Sequence, residues 1–176
     1  LSLMIQNFPN QIPIFPLNGV IYFPRTNLPL NIFEKRYLQL VNDCMKTNKL
    51  MGMVQPKKNS NEVYNIGCLG KISQFQKTED GRILIKLTGV TRFEILKEVN
   101  NNKLYREFKV QYSKFYQDLE NAKLQTLEEE TLSTLLKKIK FFLKKSGFFL
   151  NWEEFNKLEQ IQQINTLAMI SPFSDE

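Results

Sequence analysis

Residues 12–37 read IPIFPLNGVIYFPRTNLPLNIFEKRY, and this stretch decides how the front half of the chain folds. Three apolar segments, Ile12 to Leu17, Val20 to Phe23 and Leu28 to Phe33, are interrupted by Pro13, Pro16, Gly19, Pro24 and Pro29. Proline has no backbone donor, so prolines at this density exclude central strands and predict edge strands, bulges or extended connections. From Glu34 to Lys46 the pattern changes. Tyr37, Leu40, Val41 and Cys44 recur at three- and four-residue spacing, which is one stripe of a helix. Glu34 suits the positive start of that helix, and Arg36 can fork onto a carboxylate or carbonyl as a local brace.

Downstream of this helix, strands return at Met51 to Gln55 and Gly67 to Lys77, where Leu69 and the pair Ile72 and Phe75 alternate imperfectly. Asp80-Gly81 marks a tight hairpin between Lys71 to Lys77 and Arg82 to Leu87, with positive φ angles expected at the turn. Asn100, Asn101 and Asn102 mark the next reversal. Phe108, Val110 and Tyr112 then alternate with Glu107, Lys109 and Gln111, one face buried and one wet. Several short antiparallel strands and one helix suggest a small, partly closed barrel.

Near residue 113 the chain turns helical, giving two expected subdomains, 1–113 and 114–176. Thr126 and Glu129 have capping-box spacing, and Leu132, Leu135, Leu136, Ile139, Phe142 and Leu143 form a stripe, with Gly147 as the stop. Glu128, Glu129 and Glu130 open this helix and Lys137, Lys138, Lys140, Lys144 and Lys145 fill its later turns, so the charges oppose the macrodipole at both ends. Asn151 and Glu154 resemble another cap, ahead of Trp152, Phe155 and Leu158. A last helix carries Ile161, Ile164, Leu167 and Ala168 and stops at Pro172.

Composition closes several functional doors. The 176 residues contain no histidine and two cysteines, which removes imidazole bases and leaves no zinc-ligand set. Cys44 sits on an apolar stripe and Cys68 between small residues in a strand, so both read as buried free thiols in a reducing, cytoplasmic setting. No apolar stretch approaches the roughly 20 residues that span a bilayer. The net charge of +6 invites a nucleic-acid or anionic-surface partner, but the lysine-rich helix reads more simply as a packed helix with a solvated charged side. Gly67-Cys68-Leu69-Gly70-Lys71-Ile72 lacks the spacing and the Ser or Thr of a phosphate-binding loop. Ser73, Ser113, Ser133 and Ser146 have no glycine elbow or oxyanion nest, and Glu153 and Glu154 face different directions. No enzyme is expected, with no cofactor and no metal.

The ordered blocks carry a resemblance. Ile12-Pro13-Ile14-Phe15-Pro16-Leu17, Phe23-Pro24 and Leu28 to Tyr37 look like the opening signature of the LON substrate-binding domain family, the N-terminal domain of the ATP-dependent protease Lon. Gly67 to Ile72, Asp80-Gly81-Arg82 and Gly89-Val90-Thr91-Arg92-Phe93 resemble its second block. Asn165 to Met169 with Ser171-Pro172-Phe173 is similar to the ending of stand-alone bacterial members without ATPase or peptidase. The resemblance implies an α+β fold: a PUA-like β pseudo-barrel with one inserted helix, followed by a C-terminal helical subdomain. It implies a non-catalytic module for peptide or unfolded polypeptide segments, with no membrane partner. The front end of a full-length Lon protease and a PUA-like nucleic-acid binder are the alternatives. Phe23, Arg25, Leu28, Phe33, Lys35 and Arg36 are the peptide-contact candidates. Pro13, Pro16, Pro24, Pro29, Glu34, Tyr37, Gly67, Gly81, Arg82, Gly89, Arg92 and Phe93 are expected to be structural. The chain starts at Leu1 rather than Met, and Ser174-Asp175-Glu176 resembles a helix cap, so the natural chain is expected to continue.

Overall fold

A computed structural model describes residues 8–119, 128–145 and 150–170. Six strands, β1 (Gln11–Pro16), β2 (Asn27–Ile32), β3 (Leu50–Pro56), β4 (Val63–Lys77), β5 (Ile83–Val99) and β6 (Glu107–Gln111), form one mixed sheet in the order β2-β5-β4-β3-β1-β6. A further β5–β6 pairing closes five of them into a ring. The long β5 makes this closure possible: its first half pairs with β2 and β4, and Glu94 to Val99 pair with β6. Helix α1 (Lys35–Met45) follows β2 and buries Tyr37, Leu40, Val41 and Cys44, the stripe read from its spacing. A 3-10 helix, Ser113–Asp118, follows β6. Helices α2 (Glu129–Lys145), α3 (Trp152–Asn156) and α4 (Gln160–Ile170) complete the chain. The fold is the mixed α+β arrangement expected.

The chain divides into two compact units, one within Leu1–Glu120 and Asn165–Glu176 and one within Asn121–Ile164. The first has two cores on opposite faces of the strands. Ile12, Ile14, Val54, Leu69, Phe93 and Phe108 come from all five ring strands and fill the ring. Phe15, Met51, Met53, Cys68 and Ile72 face outward and pack against α1 and β2. A bulge at Ser73, the extra β4 residue between the pairs Ile72–Leu87 and Gln74–Lys86, explains the imperfect alternation of β4; a second bulge lies on β5, where Val90 is the extra residue between Leu69–Thr91 and Gly70–Gly89.

The expectation that the prolines exclude interior strands holds for Pro29, since β2 pairs only with β5, and for Val20 to Phe23, which form no strand. It fails for β1, which lies between β3 and β6. The reason is the direction of each missing donor. Leu17 N donates to Val54 O on the β3 side, whereas Ile14 N donates to Arg106 O on the β6 side. Alternation therefore turns Pro13 toward Leu50 of β3. The Leu50 carbonyl accepts instead from the buried Cys44 thiol at 3.3 Å. Pro16 faces the other side, beyond the last β6 pair at Pro13–Glu107.

The hairpin stands where Asp80-Gly81 places it but is wider than a two-residue turn. Only Gly81 has positive φ (84°), Gly81 N donates to Thr78 O, and Thr78 N donates to Arg82 O. On β6, Glu107 departs from the wet face: it is 9% exposed and accepts from Asn101 and Lys103.

In the second unit Asn151 caps α3, its side chain accepting from Glu154 N, as the spacing predicts. Phe155 and Leu143 are buried, and Trp152 meets the Phe155 ring edge-on at 5.4 Å. Of the expected α2 stripe only Leu143 is fully buried, while Leu135 and Phe142 stay exposed. Thr126, Gly147, Pro172 and the Ser174-Asp175-Glu176 cap lie outside the described residues.

Candidate functional site

The segment from Leu17 to Phe23 leaves β1, turns at Asn18 and Gly19, where Gly19 has φ of 74°, runs unpaired through Val20 to Phe23 and turns again at Pro24 and Arg25. Gly89 pins that turn. Gly89 N donates to Thr26 O, Arg25 N donates to Gly89 O, and a Cβ on residue 89 would lie 2.2 Å from Phe23 O. Thr26 Oγ1 closes the turn on Phe23 O at 2.7 Å. Asn165 Nδ2 of α4 donates to Pro24 O at 3.0 Å.

Held in this way, the segment lies against Met53, Val54, Ile66, Gly67 and Cys68 and leaves a pocket of about 170 Å³. Its walls are Leu17, Val20, Ile21, Tyr22 and Phe23 on one side and the β3–β4 residues on the other, with Arg92 as the one charged group. Ile21 and Ile66 are 42% and 45% exposed. Arg92 is locked: Asp118 accepts from its backbone N at 2.8 Å, its Nε at 3.0 Å and its Nη2 at 2.8 Å, and the guanidinium lies 4.7 Å from the Phe115 ring centre. Tyr22 is buried with its hydroxyl unpartnered among the described residues. Burial, and secondarily Cys68, pushes its phenol far above the ordinary range. Burial likewise raises both thiols, Cys44 to about 12 and Cys68 further, so neither is a nucleophile at neutral pH.

A larger cleft of about 600 Å³ lies elsewhere on the unit, lined in part by Arg36, Tyr37, Glu62, Glu98, Tyr105 and Arg106. Its charges are satisfied within the fold. Arg106 forks onto Glu98 with two 2.7 Å bonds and donates to Asn61 O at 2.8 Å; Glu62 binds Lys57 at 2.8 Å. Arg36 binds Glu34 at 2.8 Å and stacks over Tyr37 at 4.6 Å.

The peptide-contact candidates do not converge. Phe23 lines the small pocket, Arg36 the large cleft. Arg25 sits in the turn with φ of 62°. Phe33, 65% exposed, and exposed Lys35 lie beyond the far end of β2, a separation of roughly 20 Å for six extended residues. Leu28 leaves the set: it is 8% exposed and packs in the core beside α1, because alternation points it away from solvent. Ile21 and Ile66 were not signalled by spacing, since an exposed apolar residue in a short run reads like a core one. Among the residues expected to be structural, Gly67 forms the pocket floor, where a Cβ would lie 2.5 Å from both Met53 O and Phe93 Cζ. Arg82 is clamped to Asp80, which it holds far below the usual carboxylate range.

Many cations of this unit are paired: Arg36, Lys46, Lys57, Arg82, Arg92, Lys103, Arg106 and Lys114 each bind a carboxylate. Among the described residues no group of three His, Cys, Asp or Glu side chains could hold a metal ion, and no helix is long and apolar enough to cross a membrane.

The chain is similar to Lon proteases over part of their length. It is 28% identical to that of Flavobacterium johnsoniae over 96 residues, 51% of this chain and 12% of that protein. It is 24% identical to that of Buchnera aphidicola subsp. Baizongia pistaciae over 166 residues, 91% of this chain and 21% of that protein. The chain thus spans about a fifth or less of these relatives. In fold it matches the Lon N-terminal domain protein of Xanthomonas campestris (TM-score 0.57, 24% identity, 92% of each chain). It also matches the N-terminal domain of Mycobacterium avium complex Lon protease (TM-score 0.59, 14% identity, 94% of this chain and 83% of that one). A family model described as the ATP-dependent protease La (LON) substrate-binding domain matches residues 11–176, and the chain belongs to that family.

Proposed function

We propose that the chain is a non-catalytic polypeptide-binding module that seats an apolar side chain of an unfolded segment in the pocket between Leu17–Phe23 and Ile66–Cys68. The observation that carries this reading is an apolar hollow on braced walls, rimmed by two exposed isoleucines. At about 170 Å³ it is smaller than the ~300–1,000 Å³ of sites that enclose a whole small ligand, so it suits one side chain of a longer chain. Burying one such side chain contributes about 1.5–3 kcal/mol. One pocket therefore binds weakly and with little sequence preference, which fits recognition of many unfolded chains.

The test is titration of the full chain with a labelled, neutral, leucine-rich unfolded peptide. Saturable binding is expected in the wild type, with at least a tenfold loss in Ile21→Asp and Ile66→Asp variants whose circular dichroism and melting are unchanged. Equal affinity in folded variants would remove the pocket from the reading, and no saturable wild-type binding would remove the reading itself.

A further inference from the structure

The second unit presents a surface that the pocket does not account for. Phe141 of α2 is 72% exposed, the most exposed of the large apolar side chains in the described structure. Residues three and four apart are neighbours on a helix surface, and the four such neighbours of Phe141 are Lys137, Lys138, Lys144 and Lys145. All four are exposed, and none forms an ion pair among the described residues. The helix dipole accounts for Lys144 and Lys145 in the last turn, but its effect fades within one turn and leaves Lys137 and Lys138 without that benefit. Lys140 lies three residues from Lys137 and four from Lys144, so like charges repel along the helix and no carboxylate lies between Thr131 and Lys145 to relieve them. Phe141 contributes nothing to the buried side marked by Leu143, which is two positions on and so points another way.

We infer that this face, Phe141 inside a frame of four lysines, docks an acidic polypeptide segment that carries an apolar residue between its carboxylates. The charge calls for a polyanionic partner, and the exposed ring calls for apolar contact at its centre. A second copy of the same face is excluded as the occupant by lysine meeting lysine. Nucleic acid is disfavoured because the two exposed rings of α2, Phe141 and Phe142, point about 100° apart round the helix and form no run of stacking platforms; a membrane is disfavoured because Phe141 stands inside its lysine frame, apart from the exposed Leu135 and Phe142 on the adjoining side of α2. The inference rests on the polypeptide-binding reading and extends it, giving the chain a second contact that selects by charge.

The experiment titrates the full chain, in 50 mM salt, with a labelled unfolded peptide of Glu and Leu and with the same peptide in which every Glu is Gln. At least tenfold tighter binding of the Glu peptide is expected, weakening as salt rises. The quadruple variant K137Q/K138Q/K144Q/K145Q should lose that preference and Phe141→Ala should lose threefold or more, while both still bind the neutral leucine-rich peptide as the wild type does. Equal affinity for the Glu and Gln peptides, or an undiminished preference in the folded quadruple variant, overturns the inference and leaves the pocket standing. Tighter binding of a single-stranded oligonucleotide or of anionic phospholipid vesicles than of the Glu peptide also overturns it. Failure of every peptide to bind the wild type removes both readings.

Discussion

The cleft beside Arg106 holds about 600 Å³ and the pocket behind Ile21 about 170 Å³, yet the charged groups of the larger hollow are already paired and its one strongly exposed apolar side chain is Leu104. In the cleft Arg106 is committed to Glu98 and Asn61, Glu62 to Lys57, and Arg36 to Glu34. In the pocket two isoleucines remain exposed and a tyrosine hydroxyl has no partner among the described residues. Recognition depends on what a surface leaves unsatisfied, which is why the proposed binding role is assigned to the smaller hollow.

The largest effect that would break the contrast comes from the pocket floor. Phe93 is fully buried and its ring tip abuts Gly67. Phe93→Ala should cost about 3–5 kcal/mol in urea unfolding and abolish leucine-rich peptide binding, with the loss spread over the whole ring. A cost below about 1 kcal/mol would mean that the ring interior repacks freely.

Tyr22 and Tyr105 sharpen the contrast, since one lines each hollow. Tyr22→Phe removes a buried hydroxyl that lacks a partner and should raise stability near pH 7 by about 1 kcal/mol. A loss instead would reveal a bound water in the pocket. Both phenols are raised, Tyr105 to about 12, chiefly by burial. Below the ordinary value of 10 both phenols are neutral in either state and stability is at its full value; as pH climbs above 10 the unfolded chain releases protons that the folded state retains, so stability falls, for Tyr105 through about 12. Melting curves between pH 9 and 12 should fall less steeply in Tyr22→Phe than in the wild type, with the cleft's share, from Tyr105, persisting.

The smallest effect belongs to the cleft. Arg106 and Glu98 are 35% and 45% exposed, so Arg106→Gln should change stability by less than about 1 kcal/mol and peptide affinity less than twofold. A tenfold loss of affinity would move the binding site into the cleft.

Helix α1 was legible because Tyr37, Leu40, Val41 and Cys44 keep a single period, and the α3 cap because Asn151 and Glu154 satisfy a local rule. The hairpin was legible in place but not in width, since Asp80-Gly81 suits more than one turn type. The interior position of β1 was not legible: whether a proline harms a sheet depends on which neighbour its nitrogen faces, and that is a property of pairing. Ile21, Ile66 and the burial of Leu28 escaped for a related reason. Hydrophobicity marks residues that favour burial but does not say which of them the fold leaves at the rim.

The Cys44 thiol, donating to the Leu50 carbonyl opposite Pro13, ties two residues thirty-one positions apart into one inheritance unit. While proline stands at 13, position 44 must supply a donor as well as fill the helix stripe, a demand met by few side chains of that size. Were position 13 to regain its N–H, position 44 would need only to be small and apolar. The order in which the two sites change is therefore constrained, and drift at one sets the spectrum of substitutions open to the other.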